Sequence, residues 1–209
     1  MKKLFLTLVI AFAGIFSANA QVWMGGSVNF NRLKENKDAD AAFTYGIAPE
    51  IGYTIAPKWD IALALGYQGA YAKNASVFAK ITDLDQFATE EVGNDYEEAE
   101  NDYKLNAITV NPYVRYKVFE FGKVGFFIDG GYAWNHGVYT EKNEEVDNKV
   151  KTNEYWFGLK PGVSFAASDK ITFAAHIGSF GYDKIEDGAS NFGLNVDNSA
   201  FTFGVWWTL

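Results

Sequence analysis

The chain has 209 residues, 48% hydrophobic and 17% aromatic, with 18 Lys+Arg against 26 Asp+Glu and no Cys, and one all-β domain can fill that length without splitting. The missing Cys excludes a disulfide framework, a thiolate metal site and a Cys nucleophile. A formal net charge of −8 leaves no Lys/Arg surplus for a phosphate-binding face, so nucleic acid is not an expected partner.

Lys2 and Lys3 precede an apolar run from Leu4 to Phe16, which ends in Ser17-Ala18-Asn19-Ala20. A basic start, a short apolar stretch and an A-x-A end are the parts of a secretory signal, so residues 1–20 are expected to be removed after export to the periplasm. The run is too short to span a bilayer as a helix, which takes about 20 apolar residues. Gln21 follows the cut, and loss of Lys2 and Lys3 takes the net charge from −8 to −10.

The mature chain, residues 21–209, reads as strands throughout. From Phe43 to Ile55 the odd positions are Phe43, Tyr45, Ile47, Pro49, Ile51, Tyr53 and Ile55, while the even ones are mostly small or polar. A period of two specifies a strand with one apolar face. The same alternation predicts eight strands, over residues 22–31, 43–55, 59–71, 105–118, 123–135, 154–166, 170–182 and 198–209. Only the first is ambiguous in its facing, with Met24, Val28 and Phe30 on one side and Trp23 and Asn29 on the other.

Connections after strands two, four and six are short, and those after strands one, three, five and seven are long. That asymmetry belongs to an up-and-down barrel with short periplasmic turns and long extracellular loops. Ala48-Pro49-Glu50-Ile51-Gly52-Tyr53, Asn111-Pro112-Tyr113-Val114-Arg115-Tyr116 and Lys160-Pro161-Gly162-Val163-Ser164-Phe165 repeat one pattern, each just before a short turn. A proline in a paired strand forfeits a ladder bond, so a bulge or bend is expected at each.

Residue size decides which face meets lipid. Opposite the large apolar face, the third strand offers Ala62, Ala64, Gly66 and Gln68, and the seventh Thr172, Ala174, His176 and Gly178. These are too small for a solvent surface and suit the crowded interior of an eight-stranded barrel. Outward aromatics then form two interfacial girdles, with Tyr53, Trp59, Tyr116 and Trp207 toward the turns and Tyr132, Trp134 and Tyr155 toward the loops.

The signal segment, the eight alternating segments, the alternation of short turns and long loops, and the final strand Phe201-Thr202-Phe203-Gly204-Val205-Trp206-Trp207-Thr208-Leu209 resemble the small eight-stranded outer-membrane barrels of the OmpA-transmembrane and OmpX type. The proline-centred repeats are similar to the outer membrane protein beta-barrel domain of Bacteroidetes. The resemblance implies an all-β, eight-stranded antiparallel transmembrane barrel in the outer membrane. It also implies lipid and the barrel assembly machinery as partners, a monomer, and no cofactor. Leu209 stands where such barrels usually end in an aromatic residue.

With the outward parity fixed, the inward charges are Glu50, Arg115, Lys117, Asp129, Lys160 and His176. In so narrow an interior they must pair, because an unpaired buried ion costs several kcal/mol. Arg115 and Lys160 are each expected near Glu50 or Asp129. A Ser-His-acid hydrolase built on Ser179 and His176 is disfavoured, since simple alternation puts the two side chains on opposite faces. The loop from Ala72 to Lys104 carries Asp83, Asp85, Glu90, Glu91, Asp95, Glu97, Glu98, Glu100 and Asp102, without calcium-loop spacing. The leading expectation is a non-enzymatic barrel with a plugged interior and acidic loops, envelope-structural or contacting a surface partner. The alternatives are a narrow channel for small solutes and a lipid-modifying enzyme, the latter without a convincing catalytic group.

Overall fold

In the computed structural model the alternating segments are strands, and they close into a barrel. The structure describes residues 21–34, 40–73, 78, 102–142, 147–186, 188, 190–196 and 201–209. Strands β1 (Val22–Leu33), β2 (Ala42–Ala56), β3 (Trp59–Ala72), β4 (Asp102–Phe121), β5 (Val124–Lys142) and β6 (Asp147–Ala166) pair in sequence, each antiparallel to the last. β7 (Ile171–Ile177) and β8 (Ser179–Ile185) together form the seventh stave, and β9 (Ser190–Asn195) and β10 (Phe201–Thr208) the eighth. β10 returns to β1 with Trp23 opposite Thr208 and Val28 opposite Phe203, which closes the ladder. Closure satisfies every strand edge at that level, which a sheet in lipid requires. No helix among the described residues is long and apolar enough to cross a membrane.

Several boundaries differ from the sequence expectation. β5 runs to Lys142 and β6 starts at Asp147, against 135 and 154, so the expected long connection between them shrinks to residues 143–146. The seventh stave runs on to Ile185 but breaks at Gly178, whose φ is +143°. The eighth begins earlier, with Ser190–Asn195 paired to β8, so the connection after Ile185 is short rather than long. Ser190-Asn191-Phe192-Gly193-Leu194-Asn195 alternates like any strand, but its Asn, Ser and Gly content reads as loop.

The three prolines act more mildly than expected. Paired partners stop on either side of Ala48–Pro49 in β2–β3 and of Asn111–Pro112 in β4–β5, yet the register continues unshifted beyond. Only at Pro161 does it shift. Leu159 faces Phe180 while Gly162 faces His176, so two residues of β6 oppose Ile177, Gly178 and Ser179. Two further register shifts lie away from the prolines, between Thr54 and Ala56 and between Lys117 and Phe119. A missing N–H removes one ladder bond but does not by itself insert a residue.

The outward face is apolar over the membrane-spanning band, with Ile47, Ile51, Leu65, Ile108, Val114, Ile128, Leu159, Phe173 and Val205 exposed. β1 joins this scheme: Met24, Val28 and Phe30 are exposed and Trp23 points inward. Trp59 and Tyr116 contact ring to ring at 4.7 Å near the short turns, and Tyr132 and Tyr155 at 6.4 Å toward the loops. Trp207 is exposed beside the termini. Trp134 keeps the parity of Tyr132 and stacks on His136. Tyr53 departs from its expected place in the girdle. It keeps the parity of Ile51, opposite Ile61 on β3, but is only 9% exposed.

Candidate functional site

The barrel interior is organised around one guanidinium. Arg115 and Asp129 are directly opposite across the β4–β5 ladder, at 3% and 5% exposure. Arg115 Nε donates to Asp129 Oδ1 and Nη2 to Oδ2, both at 2.7 Å. This two-toothed geometry fits a planar guanidinium to a carboxylate. Around it stand four rings, with centroids 3.8 Å from Arg115 Cζ for Trp206, 4.2 Å for Phe127, 5.3 Å for Trp23 and 5.5 Å for Tyr113. Such contacts to a desolvated cation contribute about 2 kcal/mol or more at the favourable end. Small residues make room for the cage. A Cβ on Gly25 would meet the Val205 carbonyl and the Trp206 side chain, and one on Gly52 would meet the Trp23 ring.

Of the remaining expected charges, Glu50 departs from the sequence reading. Glu50 reaches neither Arg115 nor Lys160. It accepts hydrogen bonds from the Tyr113 hydroxyl at 2.6 Å and from Trp206 Nε1. Asp129 claims Arg115 because it is the residue opposite in the neighbouring strand, whereas Glu50 stands two strands away with Tyr113 between them. Lys117 Nζ lies 3.0 Å from Asp60 Oδ1. Asp60 shares the parity of Ala62 and Ala64 and is an interior charge absent from the sequence expectation. Lys160 is opposite Asp129 on β6, with its ammonium 4.5 Å from the centre of the Trp156 ring.

His176 completes the cluster. Its Nε2 is 2.8 Å from Asp129 Oδ2 and its Nδ1 is 3.0 Å from Thr202 Oγ1. With the proton on Nε2 directed at the carboxylate, Nδ1 accepts from the hydroxyl. The bulge at Gly178 also overturns the parity argument about Ser179. The inserted residue flips β8, so Ser179 and His176 both line the interior. They still make no triad, because both ring nitrogens of His176 are taken by Asp129 and Thr202. The Thr202–His176–Asp129 order has a hydroxyl, an imidazole and a carboxylate in line, but at these strand levels the β10 and β7 backbones are paired with each other, so the ladder takes the N–H groups an oxyanion hole would need.

Above the cage the interior opens into a cavity of about 590 Å³. Glu50, Tyr113, Asp129, Lys160 and His176 form its floor, and Asn29, Gln68, Thr109, Asn135 and Glu154 are among its polar walls. Arg115, Trp23, Phe127 and Trp206 do not line it, so it ends at the cage. Toward the loops Phe78 packs with Tyr103 and Tyr139 over a small apolar cluster of Ala42, Ala70, Ala72 and Leu105. The acidic run from Asp83 to Glu100 and residues 1–20 lie outside the described residues.

A closed eight-stave antiparallel barrel with an apolar belt, aromatic girdles and a charged core defines an outer-membrane β-barrel protein. The chain belongs to the family described as outer membrane protein beta-barrel domain, which matches residues 4–208. No curated protein matches by sequence. Among solved structures the chain is similar to a major outer membrane protein from Thermus thermophilus, with TM-score 0.55 and 11% identity over 91% of this chain and 100% of that one. It is also similar to Ail, the attachment invasion locus protein of Yersinia pestis, in complex with the heparin analogue sucrose octasulfate, with TM-score 0.48 and 10% identity over 91% and 97% of the two chains. The N-terminal β-barrel domain of Pseudomonas aeruginosa OprF gives TM-score 0.39 and 10% identity over 90% and 97%.

Proposed function

We propose that the protein is a non-enzymatic barrel with a plugged interior, exported by its signal segment to act as a monomer in the outer membrane. There its loops stabilise the envelope or contact a surface partner. The observation that carries this reading is the caged Arg115. A bidentate ion pair and four rings occupy the bore on the turn side of the cavity, where an ion would have to pass. The non-enzymatic reading is supported by the β7–β10 ladder, which takes the backbone N–H groups that an oxyanion hole beside Thr202, His176 and Asp129 would need. Planar-bilayer recording of the refolded protein tests the reading. No steady single-channel current is expected, and a steady current persisting after deletion of most of the 72–104 loop would overturn it.

A narrow channel for small solutes is the second reading, favoured by the polar-walled cavity of about 590 Å³ above the plug. It requires the cage to open, so current would have to respond to Arg115→Ala.

A further inference from the structure

We infer that the outward face of β4, β5, β6 and β8 at the loop end binds a multiply phosphorylated glycolipid of the outer leaflet. The chain is acidic overall, yet on this face five lysines point outward and are exposed: Lys104, Lys142, Lys149, Lys151 and Lys184. Their registers bring them together. Thr140 on β5 is flanked by Lys104 on β4 and Lys149 on β6, which places two ammonium-bearing positions two strand spacings, or about 10 Å, apart. Lys151 lies two residues from Lys149 on the same face, and Lys142 two residues from Thr140.

Below this cluster the surface is aromatic. Tyr132, Tyr155, Phe157 and Tyr182 line a groove of about 430 Å³ on the outer wall, with Lys184 and Glu186 at its edge. Lys184 is opposite Tyr155 in the β6–β8 register. Asp102 accepts from the Tyr71 hydroxyl at 2.8 Å, with Lys104 Nζ 3.7 Å away, Glu186 accepts from Asn153 Nδ2, and the β6 position opposite Lys142 is Asp147, so five lysines stand among three acidic positions. The order along the barrel is therefore apolar belt, aromatic groove, then lysines. An amphiphile with acyl chains below and anionic groups above matches that order. Lysine is a compact cation suited to phosphate. A headgroup with phosphates at two separate points uses lysines spread over several strands, whereas a single phosphodiester offers one charge. The inference rests on the outer-membrane placement and is independent of whether the bore is plugged.

The full mature chain, refolded into phosphatidylcholine nanodiscs with a minor fraction of added lipid, tests it by native mass spectrometry of the lipids retained. Three added lipids are compared: diphosphorylated lipid A, its dephosphorylated form, and phosphatidylglycerol. The expected result is selective retention of the diphosphorylated form, reduced about thirtyfold in Lys151→Gln/Lys184→Gln, since each lysine at a membrane surface contributes roughly 1 kcal/mol toward an anionic lipid. Lys184→Gln alone gives a smaller loss in the same direction. Lys123→Gln/Lys170→Gln, beside the short turns at the opposite end, leaves retention unchanged. Equal retention of the dephosphorylated lipid or of phosphatidylglycerol would overturn the inference, as would wild-type retention by the Lys151/Lys184 variant or an equal loss in the turn-end variant.

Discussion

Arg115 and Asp129 are joined by two hydrogen bonds of 2.7 Å across adjacent strands, with Asp129 in the cavity floor and Arg115 closed off beneath it among aromatic rings. The ion pair gains from its geometry what it loses in hydration only while both partners are present. Asp129→Asn leaves a buried guanidinium without its counter-charge. It is expected to cost about 3–5 kcal/mol, measured by urea unfolding of the barrel in lipid vesicles. The double change Arg115→Met/Asp129→Leu should recover most of that loss. If the single and double variants were equally unstable, the cage would be stabilised by shape rather than by charge.

Lipid exposure gives a second test. Val114 and Ile128 lie on the outward face of β4 and β5 at 40% and 36% exposure. Val114→Arg or Ile128→Arg should cost about 2–4 kcal/mol near the bilayer midplane. Thr109→Ser on the inner wall keeps a hydroxyl able to donate to Asn135 and should change refolding little. Equal costs for the outward and inward changes would mean that the facing of β4 and β5 is wrong.

The room for the cage predicts a third effect. Gly25→Ala drives a methyl group at the Val205 carbonyl and the Trp206 side chain, and the carbonyl is backbone that cannot swing aside. Overpacking of this kind costs about 1–3 kcal/mol. Gly130→Ala, whose added carbon would meet only the end of the Leu159 side chain at 3.3 Å, should be milder. Unfolding midpoints of the two variants, compared side by side, separate these cases.

Gly178 is a backbone test. At φ +143° it occupies a region that L side chains rarely adopt. A Cβ there would also come within 2.8 Å of the Asn195 carbonyl oxygen. Gly178→Ala should destabilise the barrel by more than about 1 kcal/mol. Because the insertion sets which way Ser179 faces, the accessibility of a cysteine placed at position 179 should shift in the same variant. An unchanged labelling rate would show that the parity of β8 is set elsewhere.

Much of this architecture is legible in the sequence, because a barrel wall in lipid enforces the period of two so strictly. Ile61, Leu63 and Leu65 against Ala62, Ala64 and Gly66 specify both strand and facing with no further information. The first strand is ambiguous because Trp23 and Met24 are both large and apolar, and only the space beside Gly25 and Gly52 determines that the indole turns inward. Asp60 is readable from its parity with Ala62, although it sits beside Trp59 at the strand start. The partner of Glu50 is not readable, since its bonds to Tyr113 and Trp206 cross the bore between strands that are not neighbours. Nor is the facing of Ser179, because one inserted residue reverses all that follows and leaves no trace in hydrophobicity.

Strand length has a consequence for how the cell surface is presented. β4, β5 and β6 have 20, 19 and 20 residues, against 12 in β1, while about 9–11 suffice to cross the hydrocarbon layer. At about 3.3 Å per residue the excess of β5 over β1 amounts to roughly 20 Å along the strand, most of which survives the strand tilt. Over the described residues the rim is therefore slanted, and the paired ends of β5 and β6, with Lys142 opposite Asp147, stand above the end of β1 like the high side of an obliquely cut tube. Shortening the paired ends of β5 and β6 would lower that high side without touching the spanning wall.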